Sequence, residues 1–122
     1  MNEFLEAVVE ADDQPVVICD AEHTIVYMNQ TAIKRYEKRG GAQLIGQSIF
    51  DCHNAHSKGI ILSVFQQFQD NPDLNKVYTY TRKKDGEDRD VYIVALRNKS
   101  GELIGYYEKH ESRVHETVAI IS

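Results

Sequence analysis

The stretch PVVICDAEHTIVYMNQTA, residues 15–32, decides the fold of this chain. Residues 15–20 and 24–29 are rich in β-branched side chains, and each has the composition of a short strand. Residues 21–23 leave room only for a turn between them. So close a spacing predicts a β-hairpin.

A short helix is expected directly after this hairpin. Asn29 or Thr31 can cap it, and residues 30–38 then place apolar side chains at three- and four-residue steps. Gly40 and Gly41 end it, since glycine is the usual residue just beyond a helix.

The N-terminal segment, residues 1–14, is predicted to be an amphipathic helix. Phe4, Leu5, Val8 and Val9 lie on one face at helical spacing. A helix of about three turns with a narrow apolar stripe needs a partner in order to persist. We therefore expect it to lie against the domain or against a second copy of the chain, as in a homodimer.

Residues 46–68, GQSIFDCHNAHSKGIILSVFQQF, combine a cluster of reactive side chains with a longer helix. Cys52, His53, His56 and Ser57 fall within six positions. The helix is expected from about residue 55 to residue 69, and its apolar positions predict a face directed inward.

The last third of the chain predicts three strands, over residues 76–83, 89–97 and 102–110, joined by turns at Asp85-Gly86 and at residues 98–101. These strands form a meander that the first hairpin can complete into one sheet. The predicted fold class is therefore α+β, a five-stranded antiparallel sheet with short helices and one long helix on one face. A domain over residues 15–110 is followed by a tail, residues 111–122, in which Val114, Val118 and Ile121 form a weak helical stripe.

The order of these elements resembles a PAS domain. The resemblance is carried by PVVICDAEHTIVYMNQTA, by LIGQSIFD and by KKDGEDRDVYIVALRNKSGELIGYYEK. A narrower resemblance links the phrase around Cys52 and His53 to PAS modules that accompany hemerythrin-like domains in bacteria. Those modules often have Cys-His-Pro-Pro, whereas this chain has Asn54 and Ala55 at the proline positions.

The PAS resemblance implies a sensory or signalling module in which a ligand or cofactor lies between the sheet and the helices. The fold is shared by haem, flavin and metabolite binders and by modules that bind only another protein, so the fold alone does not settle the function. A small-molecule sensor and a ligand-free dimerisation adaptor both stay open, and the signalling partner is unknown.

The candidate binding residues lie around this implied pocket. They are Cys52, His53, His56, Phe65, Tyr80 and Tyr92. PAS haem groups usually take an axial histidine from this region, which makes His53 the candidate ligand of a haem iron. The alternative is that His53 and Asn54 cap the long helix. Alternation along a strand means that only half of the tyrosines of the sheet face inward.

Several other classes of function are not expected. A formal net charge of −5 argues against nucleic-acid binding through a basic surface. The cluster at residues 34–39 is better explained as a solvated helix end than as a phosphate site. Without a long apolar run or a signal peptide, the chain is expected to be cytoplasmic, off the membrane and with reduced thiols.

Catalysis and flavin photochemistry are not expected either. Asp51, Cys52 and His53 are consecutive, and a catalytic triad needs residues that converge in space. The Asn-Cys-Arg-Phe-Leu-Gln segment of light-sensing relatives is missing around Cys52. The sequence does not identify a cofactor, and it favours haem over flavin.

Overall fold

The computed structural model describes residues 2–84 and 86–113, which form a five-stranded antiparallel sheet with helices on one face. The predicted fold class is confirmed. The helices are α1 (Glu3–Glu10), α2 (Gln30–Arg35) and α3 (Ala55–Asp70), and the strands are β1 (Val17–Asp20), β2 (Ile25–Met28), β3 (Lys76–Lys84), β4 (Glu87–Arg97) and β5 (Leu103–Ser112). Turns of 3-10 helix cover Glu37–Arg39, Gly41–Leu44 and Ile49–Cys52.

The first hairpin completes the sheet through its pairing with the last strand. The strand order is β2-β1-β5-β4-β3, so β1 lies at the side of β5 and not beside β3. Where β1 and β5 meet, Gly105 lies opposite Asp20. A Cβ atom on Gly105 would come within 2.1 Å of the carbonyl oxygen of Cys19. This close approach requires glycine.

The inner face of the sheet forms the core together with α3. Along β4 the buried positions alternate, as expected for a sheet with one face covered, and Val91, Ile93 and Ala95 point inward. From α3, Val64 and Phe68 pack against this face. Burial of a large apolar side chain such as Phe68 contributes about 1.5–3 kcal/mol to stability.

Asn29, at the end of β2, connects three parts of the fold although its side chain is completely buried. Its Oδ1 accepts hydrogen bonds from the backbone N–H groups of Val16 and Ala32, both at 2.9 Å. Its Nδ2 donates to the carbonyl oxygens of Val9 at 3.2 Å and Gln14 at 3.0 Å. The predicted helix cap is therefore also the junction between α1, the hairpin and α2.

Helix α1 is attached to the domain at its C-terminal end. The carboxylate of Glu10 accepts hydrogen bonds from the hydroxyl of Tyr27 and from the backbone N–H of Gln30. Most of the apolar stripe predicted from the sequence points to solvent: Phe4 and Val8 are 80% and 70% exposed, whereas Val9 is partly buried. The helix is thus fixed to its own domain without covering its apolar face.

The end of α3 is held by Arg97 of β4. Its Nη2 donates to the carbonyl oxygens of Phe68 at 2.7 Å and Leu74 at 3.2 Å, and its Nε donates to the side chain of Asn75 at 2.8 Å. A cation at the C-terminus of a helix also complements the helix dipole. Arg97 thereby fixes α3 over the sheet.

Several boundaries differ from the sequence prediction, two of them at the ends of α2 and β5. The helix expected over residues 30–38 ends at Arg35 and continues as a 3-10 turn over Glu37–Arg39. Gly40 and Gly41 follow with positive φ angles and end the helical segment. Strand β5 extends to Ser112, beyond the predicted end at residue 110. Asp85 and the stripe of Val114, Val118 and Ile121 lie outside the described residues.

Within residues 2–84 and 86–113, none of the helices combines the length and hydropathy needed to cross a membrane.

Candidate functional site: a cavity between the sheet and the helices

A cavity of about 540 Å³ opens between the inner face of the sheet and the segment that runs from α2 to α3. Its volume falls within the range of small-molecule sites. Its residues divide into an apolar floor and a polar rim. The floor includes Cys19, Ile25, Met28, Leu44, Ile61 and Ile93, and the rim includes Arg35, Tyr36, Arg39, Cys52, His53, Asn54, Ser57, Tyr80, Arg82, Glu108 and His110.

The floor is an extension of the core. Met28 is 2% exposed, and Leu44 and Ile61 are also buried. Burial raises the pKa of the Cys19 thiol to about 12, so that this cysteine is a neutral thiol at physiological pH. An apolar group of a ligand can therefore be accommodated at this end.

The segment before α3 forms one side of the rim through two consecutive caps. The hydroxyl of Ser48 accepts from the N–H of Phe50 at 3.2 Å, and Oδ1 of Asn54 accepts from the N–H of Ser57 at 2.8 Å. The second contact makes Asn54 the N-cap of α3, one of the two residues proposed for that role. Cys52 and His53 are held between the two caps and line the cavity.

His53 has a defined tautomer. Its Nδ1 lies 2.8 Å from the carbonyl oxygen of Ile49, which can only accept, so Nδ1 carries the proton and donates. This leaves the lone pair on Nε2, the nitrogen that commonly binds a metal. Beside it, Nη1 of Arg39 donates to the carbonyl oxygen of Cys52 at 2.8 Å.

The other predicted site residues are not all brought together. Tyr80 lies on the rim, whereas His56 is exposed and lines a separate shallow groove with Gly59 and Ser63. Phe65 belongs to the core. Tyr92 lies on the outer face of the sheet, where the ammonium group of Lys76 is 4.2 Å from the centre of its ring. The structure thus differs from the expectation that all six residues surround one pocket.

A β-bulge explains why Tyr80 and Tyr92 face opposite sides. Tyr78 is paired with Tyr92, but Tyr80 is paired with Val91, because the register shifts between Tyr78 and Tyr80. Regular alternation would place Tyr78 and Tyr80 on the same face. The extra residue at Thr79 turns Tyr80 inward.

His23 is a residue of this region that the sequence did not single out. It occupies the turn of the first hairpin with φ of 68°, a left-handed conformation that is uncommon for residues other than glycine. Its Nδ1 lies 2.8 Å from the hydroxyl of Tyr106, and its ring contacts Phe65 at a centroid distance of 4.8 Å. Burial lowers the pKa of His23, and the nearby charge of Asp20 opposes this shift. The sequence has no local pattern that indicates this left-handed turn, so the inward position of His23 is seen only in the structure.

The basic cluster at residues 34–39 also differs from expectation. Lys34 and Lys38 are exposed at the end of the helix, as expected, but Arg35 and Arg39 line the cavity, and Arg82 joins them from β3. Burial lowers the pKa of Arg35, and the charges of Arg89 and Arg82 lower it further, while Tyr36 and Tyr80 act in the opposite direction. The rim is therefore rich in cations.

A haem group is compatible with the donor chemistry at His53, since its Nε2 is available and apolar residues such as Ile60 and Ile61 line the same cavity. A metal ion held only by protein side chains has less support. In the described part of the chain, no group of three or more histidine, cysteine, aspartate or glutamate side chains is placed to hold a metal ion.

Comparison with known proteins was made at the level of sequence and of structure. The model of the PAS domain family matches residues 13–108, which is most of the chain. The search among curated proteins gave no match.

Three solved structures illustrate the structural similarity. The C-terminal domain of a Streptococcus mutans protein is 15% identical, with a TM-score of 0.70, covering 88% of this chain and 81% of that one. A PAS domain from Colwellia psychrerythraea is 17% identical, with a TM-score of 0.65 and coverages of 89% and 93%. The Aer2 receptor of Vibrio cholerae, a dual PAS-haem oxygen sensor, is 18% identical, with a TM-score of 0.54 and coverages of 82% and 94%.

At these identities the solved structures establish the fold alone. The match of the family model covers β1 to β4, β5 as far as Glu108, and all the cavity residues except His110. PAS domains are generally sensory modules and not enzymes. From its sequence and its fold, this chain belongs to the PAS domain family.

Proposed function

We propose that this chain is a sensory or signalling module that binds a small ligand or cofactor in the cavity between the sheet and the helices. The observation that carries the proposal is the cavity itself, about 540 Å³ with an apolar floor and a polar rim. Sites for small molecules typically combine an apolar lining with a few polar groups that fix orientation. The role is binding and not catalysis.

The rim residues give this proposal its signalling step. The segment with Cys52 and His53 contacts the cavity on one side, and Tyr80 of β3 contacts it on the other. A ligand that touches both sides stabilises the arrangement in which they are close together, and it shifts the population toward that arrangement. The sequence does not identify the signalling partner that responds to this change. The net charge of −5 argues against a nucleic acid in that role.

Haem is the specific version of this proposal that the sequence raised. His53 would supply the axial ligand through Nε2, with Nδ1 held by the carbonyl oxygen of Ile49. The iron would then provide binding of a diatomic gas or redox chemistry. The similarity to the Vibrio cholerae haem oxygen sensor supports this version only through the shared fold.

Blocking the cavity is expected to abolish binding of an apolar probe. Ser57 lines the rim on the first turn of α3, so the substitution Ser57→Trp places an indole in the opening. Fluorescence titration with N-phenyl-1-naphthylamine, a neutral apolar probe, should show an affinity loss of at least about tenfold.

The absorption spectrum of the unmodified protein tests for haem in the same preparation. A bound haem would give a Soret band, and this band should disappear in His53→Ala.

The matched control is Gln67→Trp, which adds the same side chain at an exposed position of α3 outside the cavity. It should leave the affinity for the probe unchanged. If the unmodified protein does not bind the probe, releases no small molecule on denaturation and has no Soret band, the proposed cavity function is wrong.

A second candidate function, a dimerisation adaptor, is favoured by the uncovered stripe of α1. Phe4, Leu5 and Val8 are 80%, 57% and 70% exposed, although their helix is fixed to the domain. A contiguous apolar surface of this kind is typical of an interaction site. We propose a second copy of the chain as its occupant.

The substitution Val8→Glu is expected to dissociate this dimer, because a carboxylate buried at an apolar interface is strongly unfavourable. Light scattering coupled to gel filtration should then report about 14.0 kDa for the variant and about twice this mass for the unmodified protein. Gln67→Glu, which adds the same charge on exposed α3, should stay dimeric. An unmodified protein that is already monomeric at high concentration would refute the dimer.

A further inference from the structure

The inner face of the sheet carries cations where β3 and β4 approach their turn. Arg82 and Arg89 are directly opposite each other in the β3–β4 pair. Arg89 has the same strand parity as the buried residues Val91 and Ile93, so both arginines point to the inner face. Arg35 of α2 lines the same cavity as Arg82, and the charges of Arg89 and Arg82 both lower its pKa.

Two of these three cations have no carboxylate partner in the part of the chain that the structure describes. Within residues 2–84 and 86–113, Arg35 and Arg82 make no ion pair, while Arg89 has Glu87 at 3.2 Å. In the same part of the chain, Nη1 of Arg35 and Nε of Arg89 are buried and lack a hydrogen-bond partner. A buried polar group in this condition costs about 1–3 kcal/mol, so its retention calls for a partner that binds there.

His110 and Glu108 also line this cavity. His110 is 5% exposed and lines the cavity with Arg35 and Arg82. Its Nε2 lies 3.0 Å from the carboxylate of Glu108, and its Nδ1 is buried without a partner among the described residues. Glu108 supplies one negative charge against the two positive charges of Arg35 and Arg82 in the same cavity, so this end keeps a net positive charge.

The opposite end of the cavity is apolar, with Met28, Leu44 and Ile61 on its floor. A ligand that fits both ends has an anionic group and an apolar body. The planar guanidinium group suits an oxyanion, since its N–H donors can form two parallel hydrogen bonds to it.

We propose that the ligand of this cavity is an amphipathic organic anion. Its anionic group is held by Arg35 and Arg82, and its apolar body lies on the floor. This inference rests on the proposed function, because it specifies the ligand class of the same cavity. It gives the buried Nη1 of Arg35 the partner that the described residues do not supply.

Two fluorescent probes that differ by one anionic group test the inference. They are 8-anilinonaphthalene-1-sulfonate and its neutral counterpart N-phenyl-1-naphthylamine. The unmodified protein should bind the sulfonate at least about tenfold more tightly. Arg82→Met keeps most of the aliphatic length of the side chain, and it should weaken sulfonate binding at least about tenfold while leaving the neutral probe within about twofold.

Lys99→Met is the control, since it removes a positive charge from the exposed turn between β4 and β5, away from the cavity. It should change neither affinity. Arg35→Met repeats the test at the second arginine, and circular dichroism confirms that each variant is folded. If Arg82→Met does not fold, Arg35→Met decides the result.

The outcomes separate this inference from the proposed function. Equal affinities for the two probes, or an unchanged sulfonate affinity in the arginine variants, would overturn the proposal of an anionic ligand. The cavity would then still be a binding site for the neutral probe. Failure of the unmodified protein to bind either probe would overturn both. Sulfonate binding that survives Ser57→Trp would place the probe outside the cavity, and that also counts against the inference.

Discussion

Replacing Asn29 with alanine is expected to remove about 4 kcal/mol from the free energy of unfolding, which is a large share of the stability of a small domain. The buried amide makes four hydrogen bonds, accepting from Val16 and Ala32 and donating to Val9 and Gln14. Alanine would leave all four backbone groups without their partner, two of them at buried and two at partly buried hydrogen bonds. Urea denaturation followed by circular dichroism measures the loss.

Two further variants make this result interpretable. Asn54→Ala removes an exposed cap with one hydrogen bond and should cost about 1 kcal/mol. Asn29→Ser keeps an acceptor for the N-terminus of α2 and should lie between Asn29→Ala and the unmodified protein. A loss in Asn29→Ala no larger than that in Asn54→Ala would show that the buried network contributes little.

The substitution Gly105→Ala should destabilise the protein by about 3 kcal/mol or more, at the upper end of the cost of inserting one methyl group into a packed site. The added Cβ atom would come within 2.1 Å of the carbonyl oxygen of Cys19. Because the obstacle is backbone, relief requires β1 to move away from β5 and weakens the pairing between Gly105 and Asp20. The same denaturation experiment measures this effect.

Gly59→Ala is the matched control, because the same methyl group at this exposed position of α3 meets nothing within 4 Å. Alanine favours a helix more than glycine does, so this variant should gain about 0.5–1 kcal/mol. Opposite signs at the two glycines would confirm that packing decides the result. A Gly105→Ala protein as stable as the unmodified one would contradict the close approach of β1 and β5.

The parts of the fold that the sequence predicts are those with strong local patterns. The first hairpin has two β-branched segments with one short turn, and α3 has apolar positions at regular helical steps that end in Phe68. Asn29 was recognisable as a cap because its side chain can accept from the first turn of α2. Its two donations, to Val9 and Gln14, depend on how α1 returns to the domain, and no local pattern specifies that.

The cavity was harder to predict, because it depends on register and on contacts between distant segments. A bulge at Thr79 turns Tyr80 inward and leaves Tyr92 outside, against the alternation that the sequence alone would use. Arg35 appeared to belong to a solvated cluster, since nothing near it in sequence indicates that it lines the same cavity as Arg82 of the sheet. His53 was identified from its neighbourhood, whereas its tautomer required the position of the Ile49 carbonyl.

The pairing of β1 with β5 also has a consequence for the order of folding. Residues near the two ends of the domain meet in the middle of the sheet, with Val17 opposite Glu108. Contacts between residues so far apart in sequence require a large loop to close, and they slow folding relative to local contacts. During synthesis on the ribosome, the hairpin of β1 and β2 therefore cannot join the rest of the sheet until the last strand has been made. Until β5 emerges, one edge of β1 lacks its partner, so the sheet is completed only after β5 has been synthesised.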